Sequence, residues 1–257
     1  MKKTTRIFIL MLASACSLNA YSFQKGGSGT DKNDIFDIGS AKSSCININE
    51  IHVHDKTIYT DCKVAEFGTF GAFNNKIYYD ALYCLLPHYE GVADRKCDSG
   101  PPESNTARAI AIFTCAANAK QVTLMLSDTA DPDEGSNSYK KPELITNQFG
   151  ELLYVPIKVD GTGSFNVSKY LQLNKKTNAW TTLDADSWVQ KLALPKGRFI
   201  NKGVWPDLKT MSAKIYLYKD SDANCCPTGG TLHAKLTIKH GKIAAESVVF
   251  NASEVPN

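Results

Sequence analysis

No stretch of the 257-residue chain approaches the roughly 20 consecutive apolar residues that a membrane-spanning helix needs, so no transmembrane span is expected. A C-x-x-C is missing, which argues against a thioredoxin-like enzyme, and the cysteine spacing fits no structural zinc pattern. Also missing are G-x-S-x-G, H-E-x-x-H and a P-loop. Gly161-Thr162-Gly163 lacks the third glycine of a dinucleotide fingerprint. These absences leave no motif-borne catalytic residue and no expected cofactor. An excess of positive charge is lacking too. The 29 basic residues include Lys2, Lys3 and Arg6, and without the first 20 residues 26 basic side chains face 26 acidic ones. A nucleic-acid binder needs surplus Lys and Arg to displace counterions, so nucleic acid is excluded as a partner.

What is present begins at the N-terminus. Lys2, Lys3 and Arg6 precede the short apolar run Ile7-Phe8-Ile9-Leu10-Met11-Leu12, and small residues follow. That order is the pattern of a secretory signal over residues 1–20. Leu18-Asn19-Ala20 places cleavage before Tyr21. Ala13-Ser14-Ala15-Cys16 offers the alternative of a lipoprotein signal with cleavage after Ala15 and a lipid on Cys16, although Ala13 stands where such signals usually carry a branched aliphatic residue.

Seven cysteines follow Cys16: Cys45, Cys62, Cys84, Cys97, Cys115, Cys225 and Cys226. In an oxidising compartment such a set reads as a disulfide framework, and an odd count leaves one thiol over. Cys84 and Cys97 are close enough in sequence to pair across a turn.

Residues 21–44 are rich in Gly, Ser, Lys and Asp and read as a flexible lead-in. Residues 45–126 alternate in short β-like runs and carry five cysteines. Residues 127–145 gather Asp, Glu, Gly, Ser, Asn and Pro and read as a polar linker. A second β-rich subdomain is expected over 146–252. There, Leu152 to Val159 is a strand candidate, and Asp184 starts a short helix through Leu192. Met211, Ala213, Ile215 and Leu217 alternate with polar residues, as do Leu232, Ala234, Leu236 and Ile238. Period two predicts half-buried antiparallel strands. His240-Gly241 supplies a tight turn into Lys242 to Phe250, completing a three-stranded meander. The fold expected is mostly β, with antiparallel sheets and one or two short helices, an α+β class.

Between the first two meander strands lies Asp220-Ser221-Asp222-Ala223-Asn224-Cys225-Cys226-Pro227-Thr228-Gly229-Gly230. This loop, with Gly203-Val204-Trp205-Pro206-Asp207 before it, resembles exported proteins of Gram-negative bacteria that have no known activity. The resemblance spans roughly residues 150–250 and implies an envelope setting and a compact β-rich domain. Adjacent cysteines can close on each other, bridge to two other cysteines, or leave one thiol over. Pro227 and Gly229-Gly230 make the loop stiff and sharply turned. Asp220, Asp222 and Asn224 have the spacing of the first three ligands of a calcium loop, but Cys225 stands where its glycine belongs and Thr231 where its glutamate belongs. A solvated Asx turn is the simpler reading.

His52 and His54 lie two apart on a probable strand and share a face, with Asp55 and Asp61 nearby. They are metal candidates only if a distant third ligand joins them, for which His88 is a guess, so no metal is expected. Trp180, Trp188, Trp205, Tyr216 and Tyr218 crowd the second half, as core beneath the Trp188 helix or as a binding face. Together these features favour a periplasmic or secreted, non-enzymatic binding module: an inhibitor, an immunity-type protector or an assembly factor. Its partner would be another protein or an envelope polymer. The candidate binding residues are Asp220, Asp222, Asn224, Cys225, Cys226, Trp205 and Asp207. The alternative is a periplasmic hydrolase or thiol-redox enzyme whose site forms only in the fold.

Overall fold

The computed structural model describes residues 34–46, 50–53, 56–87, 107–117, 119–129, 137–159 and 165–256. Outside them lie the signal-like segment with Cys16, and also His54, Asp55, His88 and Cys97. The first half carries β1 (Ile35–Asp37), α1 (Ile38–Ser43), β2 (Glu50–Val53), β3 (Lys56–Phe73), β4 (Lys76–Pro87), β5 (Ala107–Ala116) and β6 (Gln121–Thr129). Then come β7 (Asn137–Tyr139), β8 (Glu143–Asn147), β9 (Gly150–Val155), β10 (Ile157–Val159), β11 (Lys169–Asn174) and β12 (Ala179–Thr182). A one-turn 3-10 helix covers Val189–Lys191, and β13 (Ser212–Tyr216), β14 (Thr231–Lys239) and β15 (Lys242–Asn251) close the chain. The protein is mostly β, its sheets are antiparallel, and it ends in the meander β13-β14-β15.

Three sheets stack. The first is six-stranded, in the order β1-β6-β5-β4-β3-β2. Odd-numbered residues of β4 and β5 (Tyr79, Ala81, Tyr83, Ala109, Ala111, Phe113) face α1, where Ile38 and Ala41 seat. Ile110 and Ile112 face the other way, onto Leu153, Val155, Ile157 and Leu171. The middle sheet, β12-β11-β9-β8, is buried on both sides. Its Leu153 and Leu171 meet the first sheet, while Leu152 and Tyr170 meet Ala213, Ile215, Leu232 and Ala234 of the meander. A strand covered on both faces has no polar side to alternate with, which is why β9 reads Leu152-Leu153-Tyr154-Val155. The sheets approach so closely that a β-carbon on Gly71 of β3 would stand 2.6 Å from Leu144 Cδ1 of β8.

Turn chemistry sets the register of two hairpins. Asn74 and Asn75 hold φ of 47° and 58° between β3 and β4. His240 and Gly241 hold 52° and 72° between β14 and β15. Both positive angles belong to the two-residue turn whose twist matches flanking strands.

Three stretches differ from expectation. From residue 34 on, the flexible lead-in of 21–44 is ordered: Asp37 caps α1 by accepting from Gly39 N at 2.8 Å, and burial of Ile38 and Ala41 opposes the local polarity. The polar linker of 127–145 holds the end of β6, all of β7 and the start of β8, and Tyr139 is buried with its hydroxyl donating to Asp128 at 2.8 Å. The helix expected from Asp184 to Leu192 shrinks to one 3-10 turn. Asp184 accepts from Ser187 N at 3.0 Å, two residues ahead of that turn, whose own N-cap position is Trp188, buried in the cluster against which Leu192 packs.

Candidate binding surface around the adjacent cysteines

Cys225 and Cys226 close on each other. Their Cα atoms are 3.8 Å apart, the ordinary trans spacing. The other described bridge, Cys45–Cys62, spans 17 residues and ties the end of α1's segment to β3. Cys84 is also disulfide-bonded, with its partner outside the described residues. Cys115 keeps a buried thiol, directed at the Ala116 and Ala119 carbonyls at 3.1 Å each. The two bridges differ physically. A cross-link restricts the unfolded chain more as its loop lengthens, so Cys45–Cys62 stabilises the fold, whereas a bond between neighbours shapes only its own loop.

That loop is held from end to end. Leu217 N donates to Gly230 O at 2.9 Å and Gly229 N to Leu217 O at 2.8 Å, closing its neck. A β-carbon on Gly230, where φ is +94°, would meet Asn251 O at 2.7 Å, so glycine alone fits there. Asp222 accepts from Lys219 N at 2.8 Å, Thr228 N at 2.7 Å and Thr228 Oγ1 at 2.6 Å. The Thr228 bonds hold its carboxyl below the usual range. Those contacts cross the loop, from Lys219 three residues before to Thr228 six residues after, rather than closing the expected Asx turn onto the residue two ahead. Asn224 is gripped twice: its carbonyl accepts from Tyr218 hydroxyl at 3.0 Å, and its Oδ1 from Asn201 Nδ2 at 2.9 Å. Arg198 Nε donates to Gly229 O at 2.9 Å. Pro227 is buried beneath, while Asp220, Cys225 and Cys226 are exposed. The disulfide is thus displayed on a rigid mount.

Aromatics surround the mount, though not as expected. Tyr218 is buried, not by the Trp188 turn but by Phe199, whose ring lies 5.9 Å away and whose backbone exchanges two hydrogen bonds with it. Trp188 packs on the opposite, apolar side of the meander. Tyr216 is half-buried, with Lys214 Nζ 5.0 Å from its ring centre. Trp205 is 40% exposed. Asp207 accepts from Lys209 N, Thr210 N and Thr210 Oγ1, and its backbone bridges Ser212 at the start of β13. The Cys loop leaves from the far end of that strand, so Asp207 is a turn cap remote from the cysteines. His52 occupies β2 opposite Thr57. Among the described residues no group of three His, Cys, Asp or Glu is placed to hold a metal ion, and no helix is long and apolar enough to cross a membrane.

Sequence reasoning passed over the edge strand. β15 pairs with β14 and, over residues 245–251, with no other described strand. In register, Ala213, Ala234 and Val248 form one row, and Ile215, Leu232 and Phe250 the next. These rows are buried at β13 and β14 but open at β15, where Val248 and Phe250 are exposed. The core surface therefore runs out from under its cover. On the opposite face Val249 is 64% exposed, beside His233 and Lys214, which Glu254 joins at 2.6 Å each. Phe250 reaches the neck of the Cys loop at Gly230. Alternation in Val248-Val249-Phe250 is weak, and that was the available signal. No protein-family model matches the chain, and none of the curated proteins matches it.

Proposed function

We propose that this chain is an exported, disulfide-stabilised binding module without chemistry of its own, which engages another protein through β15 and the adjoining Cys225–Cys226 loop. The carrying observation is the open apolar edge of β15. Such edges invite pairing with an added strand, and proteins ordinarily blunt them with proline, charge or a bulge. The one bulge and the one charge in this part of β15 both fall at Glu246, and Ser247 to Asn251 carry no proline, charge or bulge. The rigid loop beside it adds shape at little entropic cost to binding. An inhibitor, an immunity-type protector and an assembly factor all work by such contacts. The signal-like N-terminus, the bridges and the resemblance to exported Gram-negative proteins support an envelope setting, with release after Ala20 or tethering through Cys16.

The test is retention of a stoichiometric partner from envelope extract by the wild-type protein and by Val249→Lys, which places charge on the edge. Retention by wild type, weakened about tenfold or more in the variant, supports strand addition. No partner, or equal retention by both, overturns it. The exposed disulfide favours a second reading, thiol redox, in which Cys225–Cys226 takes two electrons and two protons from a substrate dithiol that becomes a disulfide. Oxidation of one equivalent of a dithiol peptide per protein, lost in Cys226→Ser, would establish that reading instead.

A further inference from the structure

Strand alternation fixes which backbone groups of β15 face outward. Leu236 N donates to Met211 O, so even-numbered residues of β14 turn their amide and carbonyl toward β13, and odd-numbered ones toward β15. His233 and Thr231 lie opposite Val249 and Asn251, which therefore bond to β14. Val248 and Phe250 point theirs away, and no backbone bond takes them up among the described residues. At Ile243 the edge is already closed, by donation to Asp184 O at 2.8 Å. The segment after β15 leaves the edge clear, because Glu254 lies over β13 and β14, joined to Lys214 and His233.

We propose that a second copy of this chain occupies the edge, its β15 antiparallel to the first about a two-fold axis at Val249. The proposal rests on the reading of β15 as a binding edge and names the occupant when no foreign strand is there.

In that register β15 is complementary to itself. Val248 falls opposite the second copy's Phe250, and Phe250 opposite its Val248. These are the outward-pointing residues, so each pair closes two hydrogen bonds. The row Ala213-Ala234-Val248 then runs on into the row Phe250-Leu232-Ile215 of the other copy, and each exposed apolar side chain covers the other. On the polar face Val249 meets its own copy at a non-hydrogen-bonded position, where side chains approach most closely.

Charge agrees with this joint. Ser247 lies opposite Lys235 on its own chain and opposite Asn251 of the second copy, whose Nδ2 donates to Glu254 of that copy at 3.3 Å. Lys235 and Glu254, of opposite sign, thus flank the joint twice, while Ser247 to Asn251 bring no charge into it. Moving the axis one residue, to Val248, would instead set Phe250 against Glu246. A two-fold of this kind makes one closed interface and joins two three-stranded meanders into a continuous sheet.

Sedimentation equilibrium of the intact protein should show a monomer–dimer equilibrium with a Kd of about 1–100 µM, the weak range of a short joint. Val249→Lys and Val249→Asp each set like charges on the axis and should weaken dimerisation more than about tenfold. Val249 is exposed, so neither change disturbs the core. Mixed in equal amounts, the two variants should dimerise again, because Lys then faces Asp across the axis. The proposal is overturned if wild type stays monomeric at ~300 µM, if either variant dimerises as wild type does, or if the mixture associates no better than its components. A monomer that still retains an envelope partner overturns the self-pairing alone. A dimer that retains none upholds the self-pairing and overturns the foreign partner.

Discussion

Asp80 carries a physical conflict at a single side chain. It is 1% exposed, on the face of β4 turned toward the middle sheet, and neither carboxylate oxygen has a hydrogen-bond partner among the described residues. Burial first, and the charge of Glu66 second, raise its pKa from 3.8 to about 6. An acid whose folded pKa is raised binds its proton more tightly in the native state. Stability is therefore fullest below the unfolded value and declines as pH rises from about 4 to about 6. A shift of roughly 2 units corresponds to about 3 kcal/mol lost at neutral pH. Asp80→Asn removes the charge at constant shape. It should raise the urea midpoint at pH 7.5, by up to about 2–3 kcal/mol in unfolding free energy, and change it little at pH 4. An equal effect at both pH values would mean that ionisation of Asp80 is not the source. The sequence shows this residue as the one charge in Ile77-Tyr78-Tyr79-Asp80-Ala81-Leu82. That it lacks a partner depends on which side chains the middle sheet lays over it, and no local pattern carries that.

At the scale of elements, legibility followed burial geometry. β13 and β14 have one buried and one open face, so their period of two was plain in the sequence, as was the His240-Gly241 turn. β5 and β9 are covered on both faces and blur into apolar runs. β1 and α1 are too short for a period to register, and it is the seating of Ile38 and Ala41 that orders them. The Cys225-Cys226 loop was conspicuous, but spacing alone left three pairings open. The edge patch escaped notice because Gly230 and Phe250 are distant in sequence and meet only through strand pairing. The two described bridges now make contrasting demands. Breaking Cys45–Cys62 by Cys45→Ala with Cys62→Ala should cost about 2–4 kcal/mol of global stability, since the two cysteines are separated by 17 positions in sequence. Breaking Cys225–Cys226 by a double serine change should cost under about 1 kcal/mol, because hardly any chain entropy is at stake. Denaturant titration of both variants measures the pair, and an equal loss would show that the adjacent bridge staples more than its own loop.

For the whole molecule, the central cluster decides how many cooperative units there are. The reading of two subdomains, 45–126 and 146–252, rests on composition, yet Ile110 and Ile112 of the first share a fully buried contact layer with Leu153, Val155 and Leu171 of the second. A layer contributed by both halves cannot open on one side without exposing apolar surface on the other. That coupling favours a single all-or-none transition. All three tryptophans, Trp180, Trp188 and Trp205, belong to the second half. In a Trp180→Phe background, which removes the indole that abuts Tyr78 of the first half, the fluorescence of the other two follows the second half alone. Amide exchange of Ala109 to Phe113 follows the first half. Leu153 is fully buried in the shared layer, and Leu153→Ala should cost about 2–5 kcal/mol. If the halves are coupled, the variant lowers both readouts together, and their midpoints in urea stay coincident in wild type and variant. Should fluorescence shift while exchange at Ala109 to Phe113 holds, the halves unfold separately and the shared layer is an interface between two domains. Coincidence would mean instead that the β15 edge belongs to one cooperative unit, so that a partner bound there raises the Tm of the whole chain.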